Sequence, residues 1–266
     1  INAEYGEMKT VYLFSAGEQS SACAIYLLRS KLFNVICCDV PKPSTVRCLV
    51  SFSTVFQTSP FSVEGTVGEL CNSIEEVQQC FSNKSIAVVH DPDRQYLTML
   101  KPDIVIDATI NKKNALQINP ALAPLVIGLG PELQVPQHCH KVIETNRGTN
   151  LGRIILEGQA EPNTHNPGQI DGYSQERVLR ANVGVWKTSH KIGDIVEKDE
   201  IIGYSDGVET RTQIAGVIRG LLVDDYKVLK NNFKVGDVDP RPWVNCAAIT
   251  DKARTLAGAV LLACLE

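Results

Sequence analysis

The chain has no apolar run approaching the roughly 18 to 20 residues that a helix needs to cross a bilayer. Its first ten residues, INAEYGEMKT, have neither the basic start nor the apolar centre of a secretory leader. A cytoplasmic protein without a membrane partner is expected. There is no basic excess: 26 Lys+Arg face 30 Asp+Glu, for 26 − 30 = −4, which disfavours a nucleic-acid binder. There is no CxxC pair either. The nine cysteines stand singly or adjacent at 23, 37, 38, 48, 71, 80, 139, 246 and 264, an odd, scattered set that argues against a zinc ribbon or a thioredoxin site. The three-glycine dinucleotide fingerprint is missing too, since segment 14–22, FSAGEQSSA, holds only Gly17.

What is present is an ordinary globular composition over 266 residues, with 21% charged and 44% hydrophobic, enough for one large or two modest domains. Short apolar runs alternate with polar helical stretches in the first half: strands over 10–14, 34–38, 85–89, 103–107 and 125–128, helices over 20–31, 74–81 and 95–100. That order is expected of βα units around a mainly parallel, Rossmann-like sheet. After about Val178 the chain turns into short β-like runs punctuated by Gly-Asp turns, as in a small barrel or sandwich. The order Ile192-Gly193-Asp194, Ile202-Gly203, Ala215-Gly216-Val217-Ile218 resembles a biotinyl/lipoyl-type hammerhead barrel, but its hairpin segment 205–212 carries no lysine for a cofactor. Residues 250–265 read as an amphipathic helix capped by Thr250 or Asp251. The expected organisation is therefore a Rossmann-like α/β domain over 1–177, a small β-barrel domain over 178–245, and a helix over 246–266 returning to the first domain.

Three clusters carry candidate chemistry. The first is Gly17 with Asp39, placed where a nucleotide phosphate and a ribose-binding acid sit in such sheets; a helix start and a polar strand end are the structural alternative. The second is segment 144–153, ETNRGTNLGR, whose Glu144, Asn146, Arg147, Asn150 and Arg153 form either an anion-binding loop or a loop braced by local pairing of Glu144 with Arg147. The third gathers Asp237, Asp239 and Arg241 with Asp251, Lys252 and Arg254. The two aspartates suit a hard divalent cation and the basic residues suit an anion at a helix start, or the segment is a turn followed by a cap. Cys246 between them is the candidate thiolate, favoured by Arg241, Lys252 and Arg254 and opposed by the neighbouring aspartates; Cys139, flanked by His138 and His140, is second.

Taken together, VIGLGP (126–131), VIETNRGTNLGRII (142–155), AEPNT (160–164), ERVLRA (176–181), KVGDVDPR (234–241) and ITDKAR (249–254) resemble the YqeB-type family of selenium-dependent molybdenum hydroxylase system proteins. The likeness is dense from about Asp103 onward. The N-terminal third follows the pattern loosely, and the family's RGH triplet stands here as Arg147-Gly148-Thr149. The resemblance implies a Rossmann-like domain joined to a barrel-hammerhead segment. It also implies an accessory role in maturing a molybdenum hydroxylase, with that enzyme or its maturation machinery as partner. The expected ligand is an anionic small molecule in an inter-domain cleft, either a phosphate-bearing cofactor of molybdopterin or nucleotide type or a selenium donor. A nicotinamide-dependent oxidoreductase and a non-catalytic scaffold for the hydroxylase are the competing readings.

Overall fold

A computed structural model describes residues 8–110, 117–164 and 166–266; residues 1–7, on which part of the leader argument rests, lie outside them. The described residues divide into two compact units. One comprises 8–43, 50–110, 117–164 and 249–266, the other 44–49 and 166–248.

The first unit runs β1 (Lys9–Phe14), α1 (Glu18–Arg29), β2 (Phe33–Cys38), β3 (Phe61–Val63), β4 (Thr66–Leu70), α2 (Ile74–Asn83), β5 (Ile86–Val89), α3 (Gln95–Leu100), β6 (Ile104–Asp107), β7 (Leu125–Leu129), β8 (Gln134–Val135), β9 (Lys141–Ile143), β10 (Ile154–Ile155) and β11 (Gly158–Gln159). Strands β8 and β11 form a two-stranded ribbon, and the other nine form one sheet in the order β10-β9-β7-β6-β1-β2-β5-β4-β3. Seven strands are parallel, while β3 and β10 pair antiparallel at the two edges. Alternation assigns the side chains to both faces. Val11, Leu13, Val35, Cys37, Ile104 and Ile106 pack with the apolar side of α1 and of the closing helix α4 (Asp251–Leu265). Tyr12, Phe14, Ile36, Val105 and Val126 pack on the other side with Val77 of α2 and Leu97 of α3. Each aliphatic side chain so buried contributes about 1.5–3 kcal/mol. Helix α4 begins where Thr250 accepts the amide hydrogen of Ala253, and α2 where Ser73 accepts that of Glu76, as N-caps do.

The second unit contains β12 (Val178–Ala181), β13 (Gly184–Lys187), β14 (Ile195–Val196), β15 (Ile201–Ser205), β16 (Val208–Arg211), β17 (Gly216–Leu221), β18 (Tyr226–Val228) and β19 (Phe233–Asp239). They form two four-stranded antiparallel sheets, β12-β19-β17-β14 and β16-β15-β13-β18. Their shared core includes Leu179, the fully buried Trp186, Ile202, Ile218, Val235 and Val238, with Val46 added from segment 44–49.

The expected fold class is corrected on both counts. The large sheet is mixed, not a Rossmann-like sheet: both edges run antiparallel, and the described link from β7 to β9 carries β8 and no helix. The small domain is not a biotinyl/lipoyl-type barrel. A barrel closes by pairing its outermost strands, whereas here β12 and β14 flank one sheet and β16 and β18 the other. Consecutive strands β13 and β14 switch sheets, which no local pattern of turns reports. The helix over 251–265 packs on α1 within the first unit.

Gly216 makes this second fold testable. It sits at φ +155°, and a Cβ there would lie 2.1 Å from the carbonyl oxygen of Asp239 on the adjacent strand. Gly216→Ala is expected to cost about 3 kcal/mol by combining backbone strain with a clash against rigid backbone, read as a lowered urea midpoint of the full chain. An unchanged midpoint would show that the β17–β19 register is not as described.

Candidate functional site

Parallel strands end their hydrogen-bonded, apolar run at their carboxyl ends, and four carboxylates stand there or just beyond: the buried Asp91, Asp107 and Glu144 and the half-buried Asp39. Asp39 accepts the amide hydrogens of Ala16 (2.7 Å) and Val40 (2.8 Å), and Gly17 donates its own to Ser15 Oγ. The backbone donors that would hold a phosphate after β1 are therefore already engaged. Glu18, at the start of α1, adds a further carboxylate and accepts from the Thr250 amide. Gly17 and Asp39 meet, but as a carboxylate-braced turn. Burial raises the pKa of Asp39 against these bonds. It also raises that of Asp107, whose Oδ1 accepts from both the amide and the hydroxyl of Thr109.

The 144–153 loop is organised by Glu144, only 2% exposed. One of its oxygens accepts from the Asn146 amide (2.6 Å), the other from the Glu161 amide (2.7 Å), so a single carboxylate fastens two loops. Asn146 and Asn150 each donate to the Glu161 carboxylate at 2.7 Å. Glu161 was not picked out from the sequence; its only signal was its place in the polar run 161–164. Arg147 does not pair with Glu144. Its guanidinium forms a two-pronged contact with Asp251 at the start of α4 (2.9 and 3.3 Å). Arg153 is exposed.

Lys252 follows Asp251 on the first turn of α4. Burial lowers its pKa, and so does the Arg147 cation, against the pull of Glu144 and Asp251. Among the described residues its ammonium makes no hydrogen bond or ion pair. The structure thus joins Glu144, Asn146, Arg147, Asn150, Asp251 and Lys252 at one corner of the first unit. Arg254 is separate: it turns to Glu64 (2.5 Å), which also accepts the Ile249 amide hydrogen.

Asp237, Asp239, Arg241 and Cys246 belong to the second unit. Every carboxylate oxygen of the aspartate pair is taken by a cation, namely Arg219 and Lys234 on Asp237, and Arg219 and Arg241 on Asp239. A divalent cation at this pair would have to displace cations that already hold its oxygens. Among the described residues no group of three metal-ligating side chains occurs. Burial would raise the pKa of Asp237, but Lys234 and Arg219 outweigh it and hold the carboxyl well below its ordinary range. Arg219 went unnoticed in the sequence, although a lone cation inside the apolar run 217–222 was a signal. Burial pushes the Cys246 thiol up, while Arg47 and Arg219 pull it down. Cys139 is fully buried and pushed up to about 12 by burial. The Nδ1 atoms of His138 and His140 accept backbone amide hydrogens from Gln134 and Val126.

These features define a class: an α/β protein with a mixed sheet whose strand ends are lined by buried acids, and a separate antiparallel β unit rich in paired charges. No helix of the described chain is long and apolar enough to cross a membrane. No family model matches. The chain is 37% identical over 253 residues to the uncharacterized protein YqeB of Escherichia coli K12, which is thus a homologue; the alignment takes in 94% of this chain and 46% of that protein. The chain therefore spans about half the length of the curated relative it matches. Among solved structures it is similar to an aspartoacylase family protein of Mesorhizobium loti (TM-score 0.28, 12% identity, 90% of this chain and 87% of that one). It is also similar to a succinylglutamate desuccinylase/aspartoacylase of Rhodobacter sphaeroides (TM-score 0.27, 13% identity, 88% and 85%). At these scores the likenesses carry no argument about fold or chemistry.

Substitutions at two residues test the electrostatics. Glu144→Ala leaves two amide donors without their acceptor and is expected to cost about 2–4 kcal/mol, whereas Glu144→Gln, which keeps one acceptor oxygen, costs less; equal losses would mean that the carboxylate does not fasten the loops. Asp237→Asn leaves Arg219 and Lys234 beside a neutral group and is expected to cost about 3–5 kcal/mol. Because the folded pKa of Asp237 is depressed, its contribution is present above the unfolded value of about 3.9 and is lost as pH falls. The variant's stability should therefore fall less steeply than that of the native chain in an acid titration.

Proposed function

We propose that the chain is an accessory protein in the maturation of a selenium-dependent molybdenum hydroxylase. In this reading it binds an anionic small molecule at the corner formed by the 144–153 loop and the start of α4. The observation that carries the reading is Lys252: a half-buried ammonium beside the Arg147 cation, with no direct partner among the described residues. A cation in a partly dehydrated place without a direct contact to an opposite charge is a cost that an anion reduces. Arg147, the exposed Arg153 and the amide dipoles at the start of α4 add to the attraction. A phosphate-bearing ligand of molybdopterin type fits this chemistry, as does an anionic selenium donor, and the partner is the hydroxylase or its maturation machinery. The role itself rests on the family resemblance of the motifs over 126–254; the E. coli homologue is uncharacterized and adds no role of its own. The nicotinamide reading has less support, because the turn after β1 already directs its backbone donors to Asp39 and Ser15.

The decisive experiment has two parts. Deleting the gene is expected to leave the hydroxylase present and molybdenum-loaded but selenium-free; a selenium-replete enzyme overturns the maturation role. Titrating the full chain with inorganic pyrophosphate is expected to show binding that Lys252→Met weakens by about tenfold, the loss of one charge-assisted contact. Unchanged binding in the variant removes the site.

A further inference from the structure

The second unit contains an ionic cluster that neither its sheets nor the role proposed above requires. Asp237 and Asp239 lie on β19 and are 3% and 0% exposed. Arg219, at the irregularity in β17 opposite them, bridges the two, with Nε 2.9 Å from Asp237 Oδ1 and Nη1 3.3 Å from Asp239 Oδ2. Lys234 holds the other oxygen of Asp237 at 3.0 Å, and Arg241 clamps Asp239 through Nε and Nη2, both at 2.9 Å. Three cations thus hold two carboxylates in direct contact.

Arg177 is a fourth cation in the cluster. It lies just before β12, only 4% exposed, and donates through Nη1 to the Gly168 carbonyl. Its Nε and Nη2 are buried and have no acceptor. The carboxylate oxygen beside it, Asp237 Oδ1, is 3.8 Å away and already accepts from Arg219. The Arg47 charge also acts on Asp237. A buried guanidinium with two idle donors is destabilising unless negative charge is supplied. The cluster is reachable from outside, because the side chains of Arg219, Arg241 and Lys234 are 16%, 35% and 44% exposed.

We propose that this cluster is a binding site for a small, doubly charged oxyanion of phosphate or sulfate type, seated against the solvent-exposed sides of Lys234, Arg219 and Arg241. The anion takes up donors of these three, which loosens Asp237 and lets its Oδ1 close on the idle Nη2 of Arg177. A planar guanidinium fork suits such an oxyanion, and a flexible ammonium completes the cradle. The site shares no residue with the Lys252 corner and lies in the other unit. Cys246 reports on it, because its thiol feels Arg219 and Arg47 directly. An anion that offsets that positive field raises the thiol pKa and slows its alkylation.

The test uses the full chain, inorganic phosphate as the probe and iodoacetamide labelling of Cys246 near neutral pH, quantified by peptide mass spectrometry. Phosphate is expected to slow labelling severalfold in a saturable manner. Lys234→Gln and Arg177→Met should each shift the half-protecting concentration upward by about tenfold, the effect of losing one charged contact. Lys234 is largely exposed, so its variant decides the matter if Arg177→Met does not fold. Protection that persists in Lys252→Met supports this site whatever becomes of the pyrophosphate site. Protection lost in Lys252→Met but retained in Lys234→Gln overturns it. So does the absence of protection up to about 10 mM phosphate, a concentration above which affinity is weaker than about −3 kcal/mol.

Discussion

Burial of the large sheet on both faces is the constraint from which the rest of the first unit follows. With α1 and α4 on one side and α2 and α3 on the other, no polar side chain has a place along the interior of the central strands, and polarity is displaced to their carboxyl ends. There the chain must stop pairing while still below the surface, and its backbone donors need acceptors. The acids at these ends supply them. Asp39 holds the turn after β1, Asp91 accepts from the amides of Tyr96 and Leu97 and from the Tyr12 hydroxyl, and Glu144 holds the two loops after β9 and β11. The same acids that finish the strands also make this rim electronegative.

That electronegativity moves the search for an anion away from where an open α/β sheet would first suggest it. A phosphate at the start of α1 would meet Glu18 and Asp39, and the amides it needs are engaged. Positive charge stands instead at two other places. At the start of α4, Lys252 and Arg147 lie beside carboxylates that are already occupied. In the second unit, two aspartates are surrounded by more cations than they can pair. In both places a charge is withdrawn from water without a full set of partners, the condition that favours a bound counter-charge.

Many local elements were legible in the sequence because their signals are local. Alternation and length marked β1, β2, β5, β6 and β7, and the limits of the closing helix follow from its Thr250 cap and apolar spacing. The 144–153 loop and the aspartates at 237 and 239 were also singled out by density of charge and glycine. Their partners were not. Arg147, for which an anion or Glu144 were the partners considered, pairs with Asp251, 104 residues away, and the aspartates, considered as metal ligands or as a turn, are held by Arg219, Lys234 and Arg241.

The sequence by itself determined the longer strands β1, β2, β5, β6 and β7 and the main helices, because periodicity acts over a few residues; the short strands β3, β4 and β8 to β11 carried too few residues to show it. Tertiary structure alone decided that the large sheet is mixed, that the β unit forms two open sheets and not a closed barrel, and that Asp237 and Asp239 pair with Arg219, Lys234 and Arg241. Strand order and charge pairing depend on which distant segments share a face, and the energy that selects them is that of burying apolar area and matching charge across space. Neighbours along the chain carry no record of either.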